Sequence, residues 1–283
     1  MRDSVGHYKI LDKLGSGAMG ELYRARDTRV GRTVALRAVA PAIAGDPATL
    51  ADFLRNARAS ATVSHPNIAA IYEVGEDDGL HYLAGEFVAG QKLKSLIAGR
   101  PLNPRRAIDL TVQMADALAD GYANEIVDGS LSADTIIINP KGNAKLLDFG
   151  LARWRAGGKG RPAADHQSDI AALGAVLHEM LTGTAPQHGL PPSELDSQLP
   201  RELDAIVHRT QSTYLNEQYQ VSATLAAELR SVAAILDVRA TAANEVAAAP
   251  PRGARRRETF VWIAAVATIA AFAWLLWTVS RIK

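Results

Sequence analysis

The spacing of apolar residues along this chain changes period partway. From Tyr8 to Arg37 apolar and polar residues alternate around glycines, as in strands joined by tight turns. Ala48 to Ser60 reads as a helix. Ile68 to Val74 and Leu80 to Phe87 return to strand character, with Glu76-Asp77-Asp78-Gly79 as a hairpin turn between them. After Gly90 the period becomes helical, over Pro104 to Ala123, Ser168 to Leu181, Pro200 to Gln211 and Val221 to Leu236. Ile136 to Ile138 and Ala144 to Leu147 are short strands on either side of Asn139-Pro140-Lys141-Gly142-Asn143. A small strand-rich part thus precedes a larger helical one, an α+β order with no internal repeat.

Phe260 to Val279 follows neither period. It is uncharged and apolar all round, about one hydrocarbon thickness of helix. Trp262, Trp274 and Trp277 lie toward its ends, where indoles favour the headgroup level. Arg252, Arg255, Arg256 and Arg257 precede it, and only Arg281 and Lys283 follow. The heavier basic flank stays cytoplasmic, so a single-pass anchor in the inner or plasma membrane with a cytoplasmic N-terminal part is expected. A buried core helix is the alternative, and such helices rarely stay uncharged for this length. Val238 to Glu258, rich in Ala and Pro, reads as a flexible basic linker.

Composition adds exclusions. With 31 Lys and Arg against 30 Asp and Glu, bulk charge offers nothing to a nucleic acid, and no such partner is expected. The absence of cysteine excludes disulfides and Cys-ligated metals. Met1 to Gly17 has no apolar run, so no signal peptide is expected. His7, His81, His166, His178, His188 and His208 show no metal-ligand spacing and read as surface or packing residues.

Six landmarks follow in order. Gly15-Ser16-Gly17-Ala18-Met19-Gly20 is a glycine-rich loop of the kind that lets backbone amides approach phosphates. Val34-Ala35-Leu36-Arg37 is a strand ending in a cation. His65-Pro66-Asn67-Ile68, Glu86-Phe87-Val88, Asp148-Phe149-Gly150, and Ser168-Asp169-Ile170 running on to Glu179-Met180-Leu181-Thr182-Gly183 complete the set. Over residues 5 to 236 this order resembles the bacterial membrane-anchored, eukaryotic-like Ser/Thr protein kinases. The resemblance implies a two-lobed fold, with 1–90 as the N-lobe, 91–237 as the C-lobe, 238–259 as linker and 260–280 as transmembrane helix. It also implies ATP or ADP with Mg²⁺, bound through Gly15, Gly17, Gly20, Ala35, Arg37, the hinge at Glu86 and Val88, and Asp148 as metal ligand.

The departures from that family are equally specific. Arg37 stands where a phosphate-binding Lys is expected, and a planar guanidinium does not reproduce a compact ammonium. Asn56 replaces the Glu that pairs with that Lys. Asp128-Gly129-Ser130 replaces His-Arg-Asp, so Ser130 offers no carboxylate; losing a general base typically costs roughly 100- to 10,000-fold. Ser132 replaces a Lys, and Thr135 replaces the second metal ligand. No Ser, Thr or Tyr lies between Asp148 and Ser168, no Ala-Pro-Glu motif appears, and Gln218 replaces that motif's Arg partner. The stretch from Thr184 to Leu199, near where kinases dock substrates, is short. Arg153, Arg155, Lys159 and Arg161 read as a solvated basic loop. Gly85 replaces a bulkier residue behind the adenine site, and a neighbour is expected to fill the space.

The expectation is a pseudokinase tethered to the membrane through Phe260–Val279, scaffolding or regulating a protein partner such as a true kinase. Three alternatives stay open: an active atypical kinase using Asp128 or Asp134 as base, a nucleotide sensor without transfer, and a structural tether with a collapsed pocket.

Overall fold

The structure is a computed structural model that describes residues 3–155, 165–186, 190–212, 214, 216–248, 262–271 and 273–274. Two compact units divide at Ala234 and Ile235.

The first unit opens with strands β1 (Ser4–Val5), β2 (Tyr8–Gly17), β3 (Gly20–Asp27) and β4 (Thr33–Val39). Helices α1 (Pro41–Ala44) and α2 (Pro47–Ser60) follow, then β5 (Ile71–Asp77) and β6 (Leu80–Glu86). These strands make one antiparallel sheet in the order β1-β2-β3-β4-β6-β5. Alternation does what a period of two dictates. Val34 and Leu36 are buried with Tyr8, Tyr23, Ala25, Tyr82 and Ala84 on one face, and Ala35 and Arg37 point to the other. Helix α2 starts where Asp46 accepts the Thr49 N–H at 2.9 Å, with Pro47 in the first turn.

A second, three-stranded sheet joins β7 (Gln91–Lys92), β8 (Ile136–Ile138) and β9 (Ala144–Leu146). Also in this part of the chain are α3 (Leu93–Ile97), α4 (Pro104–Ala123), α5 (Ala152–Arg155), α6 (His166–Thr182), α7 (Pro192–Leu195), α8 (Arg201–Gln211) and α9 (Ser222–Ala248). Helix α4 begins at Asn103, whose side chain accepts the Arg105 N–H, and buries Leu110, Met114 and Leu118 on one face. Helix α6 carries a full capping box between Asp165 and Ser168 and ends at Gly183 in the left-handed conformation. The His65-Pro66-Asn67 loop ties the sheets together. Asn67 donates to the Ala144 carbonyl at 2.7 Å and to Gln113 Oε1 at 2.9 Å, and its own carbonyl accepts the Leu146 N–H at 2.8 Å.

Two expectations change at the C-terminal end. The linker expected over 238–259 is helical as far as Ala248, because its alanines favour helix and no Pro interrupts before residue 250. Of the span expected over 260–280, residues 262–271 and 273–274 are described. They are helical, with Trp262, Ile263, Val266, Ile269 and Trp274 exposed. The rest of that span and residues 249–259 lie outside the described residues. Among the described residues no helix is long and apolar enough to cross a membrane.

Candidate functional site

A cavity of ≈ 400 Å³ lies beneath the β2–β3 hairpin. Its walls are mostly apolar, with Leu14, Leu22, Ala35, Ile137 and Leu147 among them, and its charged groups are Arg37, Glu86, Lys92 and Asp148. Of the binding residues expected from sequence, Ala35, Arg37, Glu86, Val88 and Asp148 line this cavity. Gly15, Gly17 and Gly20, also expected to bind, do not line it, and neither do the altered positions Asn56, Ser130, Ser132 and Thr135.

Arg37 reaches the cavity because strand alternation turns it away from the sheet core. Its Nη2 donates to both carboxylate oxygens of Asp148, each at 2.9 Å, and both side chains are largely buried. Asp148 sits at φ 54 after β9, a left-handed conformation that costs a non-glycine residue roughly 1 kcal/mol. The Leu147 N–H bonded to the Thr135 carbonyl and the Leu151 N–H bonded to the Asp148 carbonyl hold it there. Arg155 on α5 brings a second guanidinium to 3.8 Å from Asp148 Oδ2. Asn56 is half-buried on α2 and carries no charge, so the cation of β4 pairs across the cleft instead of with the helix.

Helix α5 sits against α2 and the sheet. Leu151 and Trp154 are buried with Met19, Val39, Phe53 and Leu83, and the Trp154 ring meets Phe53 edge-on at 5.3 Å. Arg153 pairs with Asp52 at 2.8 Å. Both described basic residues of this segment have acidic partners while Arg153 stays solvent-exposed; Lys159 and Arg161 lie outside the described residues. Gln218 donates to the Thr210 carbonyl at 3.2 Å, a neutral substitute where an ion pair was absent from the sequence.

The three glycines of the hairpin differ. A Cβ at Gly15 or Gly17 would meet nothing within 4 Å. At Gly20, with φ +120, it would fall 1.9 Å from the Ala38 carbonyl oxygen. Gly20 is thus demanded by the close approach of β4, and the open face of the loop belongs to Gly15 and Gly17. At the hinge, the Glu86 carboxylate accepts from Lys145 Nζ at 2.7 Å and from the Ala70 N–H at 3.3 Å. Its side chain is thereby committed, leaving backbone groups for a ligand. The Val88 N–H and C=O make no bond among the described residues. At Gly85, which lines the cavity, a Cβ would lie 2.8 Å from the Ala70 carbonyl oxygen. The cavity nevertheless continues past it to Ile71, Leu83 and Leu151, and is not collapsed.

The loop after α4 carries the altered catalytic positions. Asp169, in the first turn of α6, accepts the Asp128 N–H at 2.8 Å and the Gly129 N–H at 2.7 Å. Asp128 is buried, and its Oδ2 accepts the Ser130 N–H at 3.0 Å and the Ser130 hydroxyl at 3.4 Å. Burial, reinforced by neighbouring Asp169, pushes the Asp128 carboxyl up to about 7. Burial likewise raises Asp169 to about 6, against the two N–H donors that favour its charge. Thr135 is buried; its Oγ1 accepts the Ser132 N–H at 3.0 Å and donates to the Ser132 carbonyl at 3.0 Å. It is a loop pin. Asp134 is exposed beside Lys92 at 3.9 Å. Neither Asp128 nor Asp134, the two alternative bases, lines the cavity. Sequence reading placed Asp169 in the organising helix but missed that it anchors this loop; its position four residues after the α6 cap was the available signal.

A six-stranded sheet over a helical part, with a hinge-lined cavity between a glycine hairpin and an Asp-Phe-Gly turn, defines a protein-kinase fold. The protein kinase domain family matches residues 8–163, and the chain belongs to it. It is 34% identical over 204 residues to the serine/threonine-protein kinase PrkC of Bacillus subtilis, covering 65% of this chain and 32% of that protein. It is 29% identical over 262 residues to the serine/threonine-protein kinase PknB of Mycobacterium leprae, covering 78% and 42%. The chain thus spans less than half the length of these relatives. The crystal structure of the Mycobacterium tuberculosis PknI kinase domain superposes with a TM-score of 0.67 at 22% identity, over 81% of this chain and 97% of that one, which bears on the fold alone.

The family implies a divalent ion with ATP. The residues present do not fit one. Both oxygens of Asp148 are held by Arg37, and Thr135 Oγ1 is turned into its own loop. Among the described residues no three His, Cys, Asp or Glu side chains converge.

Proposed function

We propose that this protein is a kinase-fold signalling regulator that does not transfer phosphate and acts by binding partners at the membrane. The observation that carries the reading is the catalytic loop: Ser130 offers an alcohol bonded back to Asp128, and Asp128 is buried away from the cavity. A base must come within hydrogen-bond reach of the hydroxyl it deprotonates. The membrane part of the proposal rests on Phe260–Val279 and the Arg252 to Arg257 cluster, which make a single-pass anchor with the kinase-like part in the cytoplasm. The partner is a protein, and a catalytically competent kinase is the class that a retained kinase surface suits.

Incubated with γ-labelled ATP and a basic protein substrate, the purified full chain is expected to incorporate no more label than Asp148→Ala. Label that this substitution abolishes overturns the proposal. In cell fractionation the chain is expected in the membrane pellet, released by detergent and not by high salt; recovery in the supernatant removes the anchor from the reading.

The open cavity and the unobstructed Gly15 and Gly17 favour a more specific version, in which the pocket senses an adenine nucleotide without turnover. Binding then stabilises the fold by linkage.

A further inference from the structure

We infer that the pocket binds its nucleotide di- or triphosphate free of metal, with the Arg37 guanidinium doing the charge neutralisation that a divalent ion would do. The inference rests on the nucleotide reading of this cavity and adds the ionic form of the ligand.

Three observations support it. First, Asp148 is already paired. Nη2 of Arg37 donates to both of its oxygens at 2.9 Å, and the pair is mostly buried. A metal reaching Asp148 would have to displace that guanidinium and leave it buried without its counter-charge, which is strongly unfavourable. Secondly, the charge balance is inverted relative to a metal site. Two guanidinium groups, Arg37 and Arg155 at 3.8 Å, face one carboxylate. Asn56 supplies no second anion from α2. A cation entering this region is repelled, whereas an additional anion is attracted. Thirdly, Arg37 has donors to spare. A guanidinium has five N–H groups in a fixed fork. Only Nη2 is engaged here, and Nε and Nη1 bond nothing else among the described residues. Arginine-phosphate pairing uses that fork. Arg37 and Asp148 both line the cavity, so a phosphate entering it meets that fork directly.

The consequence is a reversed metal dependence. Free ATP carries two more negative charges than its Mg²⁺ complex, and a site with excess positive charge prefers it. Displacement of a fluorescent ATP analogue by ATP on the purified full chain, in EDTA and in millimolar Mg²⁺, reads this directly. Affinity is expected to be tighter in EDTA, with Mg²⁺ weakening it about threefold or more. Asp148→Asn, which is isosteric, removes the competing carboxylate and is expected to tighten binding about tenfold. At a metal site the same change weakens binding. Arg37→Met is expected to weaken binding in EDTA by about tenfold or more, and to make Mg²⁺ helpful because Asp148 is uncovered. Tighter wild-type binding with Mg²⁺, or weaker binding by Asp148→Asn, overturns this inference and leaves the nucleotide reading standing. No binding of ATP in either condition overturns both. Asp148→Asn keeps the inference falsifiable where Arg37→Met fails to fold.

Discussion

Gly20→Ala is expected to destabilise the chain by about 3 kcal/mol or more, while Gly15→Ala and Gly17→Ala, in the same loop, change stability by less than about 1 kcal/mol. The three positions look equivalent along the chain. In space they are not. At Gly20 the new methyl would sit 1.9 Å from the Ala38 carbonyl oxygen and 2.7 Å from the Ala40 nitrogen, both backbone atoms. Neither can swing aside as a side-chain tip would. The φ of +120 adds strain that only glycine escapes. Relief would require parting β3 from β4, where Gly20 pairs with Val39 at the end of the ladder. Met19, the preceding residue, is buried among Val39, Phe53 and Trp154, so the disturbance spreads into that cluster. Thermal melts of the purified proteins followed by circular dichroism check this. A fall in Tm on the order of 10 °C is expected for Gly20→Ala alone. Equal melting of all three variants would show that the hairpin yields at no cost.

Asp128→Asn is expected to stabilise the protein at pH 8 by about 2–4 kcal/mol and at pH 4.5 by about 1 kcal/mol at most. The sign follows from where the proton resides. The Asp128 carboxyl, ordinarily near 3.8, is pushed up to about 7 by burial and by Asp169 beside it, with Arg155 opposing. Between these values the folded chain holds a proton that the unfolded chain has released. Stability from this group is therefore full below about pH 3.8 and is lost as pH rises through about 7. Asp169, raised to about 6, acts in the same direction over a narrower window. Asparagine keeps an oxygen to accept the Ser130 N–H and cannot ionise. Urea unfolding of wild type and Asp128→Asn across pH 4.5 to 8 separates the contribution of this residue from every other titration. Parallel curves would mean that Asp128 is not the buried acid described here.

Much of the architecture could be read from local pattern. The period-two alternation of Val34, Ala35, Leu36 and Arg37 already faces Arg37 away from the sheet core, and β4 places it there. Pro104 to Ala123 is the whole of α4, because Asn103 caps one end and the apolar stripe runs unbroken to the other. The family landmarks follow from residue identity and order. Other features lie beyond any local pattern. Arg153 and Arg155 look like any charged loop until α5 sets them against Asp52 and Asp148. Thr135, where a second metal ligand is missing from the sequence, is a buried hydroxyl satisfied within four residues of its own loop. Residues 238–248 follow a run of alanines into α9 and are helical.

What the amino-acid order decides alone is which functional groups exist: an alcohol at Ser130, a guanidinium at Arg37, no acid at Asn56, and a fold whose strands and helices arise from short-range periodicity. What those groups do is decided by tertiary structure. Arg37 and Asp148 are 111 residues apart, and only the closure of the sheet over the helical part brings them to 2.9 Å. Burial then fixes their pairing, because a guanidinium and a carboxylate withdrawn from water must satisfy each other. The same withdrawal pushes two ordinary acids upward, Asp128 to about 7 and Asp169 to about 6.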